Sequence, residues 1–168
     1  MSDAIKLSKT EEKDVQWLAK ILDKKSINEY KRLLFVRSGD MYATDGARAH
    51  IVHGVKYPDG EYTIDRGYLN AEKSIAAPFL NAIKMFRENA VNPMPGIESS
   101  ATNSGQITQI VCEMYVKYGI MINYEYLKLL FTAAKSWNVS SPKDFKKFPV
   151  QFVSGDKEVF IMPMKAMF

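Results

Sequence analysis

The chain has one cysteine among its 168 residues, Cys112. A lone thiol excludes an intrachain disulfide and fits a reducing compartment. Set in the apolar stretch Ile110-Val111-Cys112, it reads as a small buried hydrophobe. Histidine is almost as scarce. His50 and His53 fall three apart in an expected strand, so they point to opposite faces, and no cysteine or further histidine completes a metal site. No apolar run approaches the length that spans a bilayer. The opening MSDAIKLSKTEEK lacks the apolar core of a signal peptide. These absences predict a soluble, cytoplasmic protein with no membrane partner. Also missing are a nucleophile elbow, a P-loop and a dinucleotide fingerprint. Asp40 and Asp45 could serve as acids, but Asp40 suits a turn and Asp45 a bend before Gly46. A Ser-His-Asp set can be assembled from scattered residues in almost any chain and carries no weight. The sequence therefore predicts no catalytic residue, no metal site and no cofactor.

What is present is ordinary globular composition, 46% hydrophobic and 25% charged. The length suits one domain or two small ones and can bury a core without disulfides or metals. The net charge of +4 and a pI near 9.0 are compatible with nucleic acid as a partner.

Apolar periodicity predicts a helix over about 10–25, opened by Thr10 and carrying Val15, Leu18 and Leu22 on one stripe. Lys13, Lys20 and Lys24 share the opposite face. Strands follow over 32–37 and 41–52, with Ser38-Gly39-Asp40 between them and Gly46 breaking or bending the second. Tyr57-Pro58-Asp59-Gly60 is a turn, and 61–65 the next strand. The stretch 72–89 reads as helical, with Pro78 near its start or at a kink and Phe79, Ile83 and Phe86 on one face. The segment 93–105, PMPGIESSATNSG, is the best loop or linker candidate, and 106–122 reads as one or two strands. A helix over 124–137 has Asn123 as its cap, Leu127, Leu130 and Ala134 on its apolar face, and Lys128 and Lys135 seven apart. Strands at 148–153 and 158–164 flank Ser154-Gly155-Asp156. Pro163 puts the last at a sheet edge or at its exit.

Two parts of the chain share an order: helix, strand, Ser-Gly-Asp, strand. Phe35 and Phe152 stand 117 residues apart, Gly39 and Gly155 116, with Arg37 the extra residue of the first copy. Such a repeat suggests duplication of one unit, the copies packing about an approximate two-fold axis. Lysines on the two helices are most simply a solvated face. Their other use is a row of charges that follows a phosphate backbone without reading sequence. Met162 and Met164 around Pro163 are either core packing at a chain end or one wall of a peptide groove.

Three stretches carry a family resemblance. Ala43-Thr44-Asp45-Gly46-Ala47-Arg48 resembles the Ala-Thr-Asp-Gly-His-Arg stretch of the bacterial sliding clamp, the beta subunit of DNA polymerase III, with Ala47 in place of the family's His. Val159-Phe160-Ile161-Met162-Pro163-Met164-Lys165 resembles the family ending Val-Val-Met-Pro-Met-Arg. Ile122–Leu127 resembles its Asn-x-x-Tyr segment, and Pro149–Phe152 also has a counterpart. The order matches, and the resemblance fades across 66–110.

The resemblance implies an α+β fold in which duplicated helix-plus-strands halves form one DNA-clamp-like domain with an extra central helix. The halves would be about 1–66 and 106–168, with 67–105 a connecting or inserted region. It implies a non-enzymatic, DNA-associated protein of replication. Lys13, Lys20, Lys24, Lys128 and Lys135 would face double-stranded DNA without sequence preference. Thr44, Gly46, Arg48, Asn123, Tyr126, Met162, Pro163 and Met164 would line a groove for peptide motifs of polymerase or repair proteins. The tail Lys165-Ala166-Met167-Phe168 could cover that groove. A family chain has three such domains and two chains close a ring. One-domain subunits would close it as a homo-oligomer of about six head-to-tail copies. An alternative is a monomeric clamp-fold module that captures or competes for replication partners without encircling DNA. An unrelated enzyme or small-ligand binder is a third reading.

Overall fold

The computed structural model describes residues 4–165. They fall into two compact units. The first holds the chain up to Leu80 together with Asp156–Glu158, and the second holds Asn81–Gly155 and the chain from Val159 on.

In the first unit β1 (Ile5–Lys6) and helix α1 (Lys9–Ala19) precede a 3-10 turn at Glu29–Lys31. Five strands follow: β2 (Leu34–Arg37), β3 (Asp40–Thr44), β4 (Arg48–His53), β5 (Gly60–Asp65) and β6 (Tyr68–Glu72). Their order in the sheet is β1-β6-β5-β2-β3-β4, and the paired neighbours run antiparallel. The cap of α1 is Ser8, not Thr10. Ser8 Oγ accepts from Glu11 N at 3.1 Å while Glu11 Oε1 accepts from Ser8 N, a capping box. The helix also stops earlier than expected, at Ala19. Ile21 N and Leu22 N bond back three residues, to Leu18 O and Ala19 O, and Asp23 N donates to Lys31 O at 2.9 Å. Ile21 then fills the core beside Val15, Trp17 and Leu18, the place the periodicity gave to Leu22.

The β2–β3 hairpin turns on Ser38 (φ 51°) and Gly39 (φ 85°), between paired Arg37 and Asp40. Two positive φ values match the right-handed twist of the strands. The expected strand 41–52 is two strands, β3 and β4, parted at 45–47 where Gly46 has φ 94°. A further hairpin turns on Arg66 and Gly67, so Glu72 ends strand β6 instead of opening a helix. Helix α2 (Phe79–Asn89) begins only after Pro78.

The second unit adds β7 (Asn92–Glu98), α3 (Ser104–Tyr118), α4 (Tyr124–Ala133), β8 (Ser136–Ser141), β9 (Val150–Ser154) and β10 (Lys157–Ile161), whose last three residues belong to it. Of the segment 93–105, only 99–103 form a connecting loop. Pro93 and Pro95 sit in β7, which ends the order β9-β8-β7 and bulges between Met94 and Ile97. An edge strand tolerates prolines because one side of it owes no ladder bonds.

The expected strands over 106–122 are instead helix α3. Ile107, Ile110 and Met114 are buried at helical spacing, Asn103 Oδ1 accepts from Gln106 N at 3.1 Å, and Gly119 (φ 69°) closes the C-terminus. Propensity differences of about 0.5 kcal/mol per β-branched residue yield to that buried stripe. Cys112 is exposed, on the side of α3 away from the stripe, which corrects its assignment to the core. Helix α4 is capped by Asn123, as expected, with Oδ1 accepting from Glu125 N and Tyr126 N. It ends at Ala133, four residues early. Trp137 belongs to β8, where its indole N–H donates to Ala134 O at 3.1 Å. A strand therefore separates the second helix from the second hairpin, and the two repeat copies differ there. No helix among the described residues is long and apolar enough to cross a membrane.

Candidate functional site

The Ala-Thr-Asp-Gly stretch forms the β3–β4 turn, and its polar groups bond to one another. Thr44, buried, donates its hydroxyl to Arg48 O at 2.7 Å and accepts from Gly46 N at 3.1 Å. Asp45 Oδ1 accepts from Ala47 N and Arg48 N, and Asp45 Oδ2 accepts from Arg48 Nε at 3.1 Å. Gly46 is required by its φ of 94°; a Cβ there would also meet Lys31 Cε and Nζ at 2.9 Å, a flexible side-chain end that can move aside. These residues fix a rigid corner of the first unit.

Five other candidates lie in the second unit. Met164 N donates to Met121 O at 2.7 Å, which lays the chain beyond β10 against the segment that enters α4. Asn123 and Tyr126 occupy the cap and first turn of that helix. Met162, Pro163 and Tyr126 are half-buried, and Met164 is 43% exposed. Ala166–Phe168 of the tail lie outside the described residues.

The five lysines are exposed, but not all stand on helices. Lys13 is within α1, Lys20 is its C-cap and Lys128 is within α4. Lys24 lies past the end of α1, and Lys135 lies between α4 and β8, where its carbonyl accepts from Ser99 N. The early helix ends shorten both rows.

Three bacterial structures share this architecture. The DNA polymerase III subunit beta from Pseudomonas aeruginosa matches with a TM-score of 0.58 at 10% identity, over 98% of this chain and 67% of its own. The DNA polymerase sliding clamp from the same organism, solved with a ligand, gives 0.55 at 10%, over 92% and 64%. The beta subunit from Thermotoga maritima gives 0.53 at 11%, over 98% and 65%. The chain has the sliding-clamp fold. It spans slightly less than two thirds of the length of two of these clamps. No family model matches the sequence, and no curated protein does.

On this clamp fold the two histidines have opposite surroundings. His50 is wholly buried against Trp17, ring centroids 4.4 Å apart, and neither ring nitrogen has a hydrogen-bond partner among the described residues. Burial, helped by the Arg48 charge, holds its pKa well below the usual value. His53 Nδ1 lies 2.8 Å from Asp40 Oδ1 and Nε2 lies 3.1 Å from Glu158 Oε1. The bond to Glu158 first, and then Asp40, raise its pKa against the effect of burial. Two carboxylates on two ring nitrogens suit an imidazolium donating from both. Lys157 beside it reaches Asp156 at 3.0 Å and Asp14 at 3.3 Å.

A depression of about 300 Å³ over Val15, Leu18 and Val52 has Glu11, Asp14 and His53 on its rim. Its acids are engaged: Tyr57 donates to Glu11 at 2.8 Å, and Asp14 holds Lys157. Sequence reasoning assigned Asp40 to a turn. Its pairing with His53 follows from the β3–β4 register, which sets the two opposite each other. No local signal links His53 to Glu158, 105 residues on.

Proposed function

We propose that the chain is a sliding-clamp-like, non-enzymatic, DNA-associated protein of the cytoplasm that binds short peptide motifs of replication or repair proteins. The observation that supports this is the bond from Met164 N to Met121 O, on a clamp fold, which lays the Met-Pro-Met ending against the segment leading into the helix that Asn123 caps. The methionines and Pro163 supply an adaptable apolar wall for a peptide's aliphatic and aromatic anchors. Asn123 and Tyr126 supply polar partners at its border. Thr44, Gly46 and Arg48, in the first unit, offer a peptide the shape of the β3–β4 turn, their polar groups being engaged within it. Lys13, Lys20 and Lys128 are the helical cations offered to duplex DNA, with copies joined head to tail into a ring.

Fluorescence anisotropy of a labelled clamp-binding peptide tests this. Met162→Ala with Met164→Ala should weaken binding by about tenfold or more, as loss of a central apolar anchor does. Unchanged affinity would remove this ending from the site, and absence of binding by the unaltered protein would remove the peptide function.

One observation speaks for the alternative, a monomeric capture module: the displacement of Lys24 and Lys135 from the helical rows. Light scattering over a concentration series, with and without DNA, separates the two. An assembly of several subunits supports the ring. A persistent monomer that still binds peptide supports the module.

A further inference from the structure

The connection between β8 and β9 carries three lysines within five positions, Lys143, Lys146 and Lys147. All three are exposed, and none takes part in an ion pair among the described residues. The connection is nevertheless well anchored. Asp144 O accepts from Lys147 N and Phe148 N at 3.2 and 3.1 Å, and Asp144 Oδ1 accepts from Lys146 N at 3.1 Å. The single carboxylate of the segment is thus spent on its own backbone. Pro142 and Pro149 are buried at the two ends. Phe145 lies against Gly119, where a Cβ would sit 3.9 Å from its Cζ. The result is a fixed turn whose anchors point inward and whose ammonium groups point to water.

We propose that this turn is a nucleic-acid contact of its own, gripping the phosphates of duplex DNA without reading bases. The proposal rests on the DNA-associated function above and adds to it a site outside the helical rows. Ammonium groups are point charges with no planar fork for base edges, so they suit contacts that ignore sequence. Fixing the backbone beforehand lowers the ordering cost of presenting them. The competing explanation is structural. The turn lies beside the C-terminal cap of α3, where positive charge complements the helix dipole.

The test compares the full chain with a Lys143→Gln/Lys146→Gln/Lys147→Gln variant. Binding to a labelled duplex of random sequence is followed from about 50 to 200 mM salt. Each phosphate that the protein no longer neutralises lowers the slope of log K against log salt by about 0.9, so the variant's slope should be shallower by about 2 to 3. Its thermal midpoint and peptide binding should not change. An unchanged slope, with the parent protein binding DNA, overturns the proposal and leaves the clamp-like function standing. So does a lowered thermal midpoint with unchanged DNA binding, which would assign the lysines to α3. So does lysine-dependent binding to phosphatidylserine vesicles without binding to DNA. If the parent protein fails to bind DNA at the lowest salt, the DNA part of the proposed function falls, and this proposal falls with it.

Discussion

Replacing His50 by leucine should make the protein more stable, and increasingly so toward acid. The imidazole is wholly buried in β4 with neither nitrogen hydrogen-bonded among the described residues. An unpaired buried polar group costs about 1–3 kcal/mol, and a neutral imidazole carries two. Leucine removes both costs and forfeits the packing on Trp17, worth about 0.5–1.5 kcal/mol. The net gain at pH 7 is about 0.5–5.5 kcal/mol. The pH term has a definite sign. The folded pKa of His50 is depressed, so below about pH 6.5 the unfolded chain binds a proton that the folded chain refuses. The parent protein loses that free energy as pH falls, and the leucine variant does not. From pH 7 to pH 5 the gap should widen, by at most about 2 kcal/mol, the limit set by the unfolded pKa near 6.5.

The assay is urea denaturation at several pH values, read through the fluorescence of Trp17. The background is Trp137→Phe, applied to parent and variant alike, so that the signal comes from the first unit. A variant less stable by more than about 1 kcal/mol at pH 7, or a gap that stays flat from pH 7 to pH 5, would refute the reasoning. The first outcome would mean that the ring's packing outweighs its unpaired nitrogens. The second would mean that folded His50 takes up a proton.

His53 should behave in the opposite sense. Its folded pKa is raised, so its stabilising contribution is full below about pH 6.5 and is lost as pH rises through the folded value. The stability advantage of the parent over His53→Gln should shrink as pH rises above about 6.5, and a constant difference in urea midpoint would exclude an imidazolium bridging Asp40 and Glu158. Thr44→Val keeps the side-chain shape but strips one bond each from Gly46 N and Arg48 O. A loss of about 1–2 kcal/mol is expected, since both groups can reach water in part. A thermal midpoint within about 1 °C of the parent would show that the hydroxyl does not hold the turn.

Where turn chemistry decides the structure, the sequence was legible. Ser38-Gly39 and Gly46 mark their turns because few residues accept positive φ, and Asn123 marks a helix start because its amide caps the free N–H groups. Longer elements were harder wherever composition and burial disagreed. Residues 106–118 are rich in β-branched side chains, and the decisive signals were the buried spacing of Ile107, Ile110 and Met114 and the bracketing Asn103 and Gly119. Pro93, Pro95 and Gly96 read as a linker because nothing local marks a sheet edge, which topology alone creates. The helix ends at Ala19 and Ala133 escaped notice because lysines continue the pattern past them. The Met-Pro-Met ending and the Asn-x-x-Tyr segment were both visible as motifs. The bond that ties Met164 to Met121, just ahead of that segment, is a fact of the fold.

The repeated tripeptide misleads by one residue, and the correction strengthens the case for duplication. Aligning Gly39 with Gly155 gives an offset of 116, which sets Phe35 against Gln151. In a strand, a slip of one residue exchanges the two faces. Phe35 and Phe152 are both fully buried, whereas Gln151 is only half-buried. The spacing that preserves burial is therefore 117. At that spacing β3 (Asp40–Thr44) falls residue for residue on β10 (Lys157–Ile161), and the ends of β2 and β9, Arg37 and Ser154, coincide. The two-residue turns coincide as well, Ser38-Gly39 with Gly155-Asp156. What differs is where the glycine sits. In the first turn both residues have positive φ, and in the second only Gly155 does, at the first position. Two-residue hairpins accept either arrangement, since both follow the twist of the strands. An accidental match of Ser-Gly-Asp letters would have no reason to keep strand length, turn length and buried face in step. A duplicated hairpin whose turn residues have drifted keeps all three.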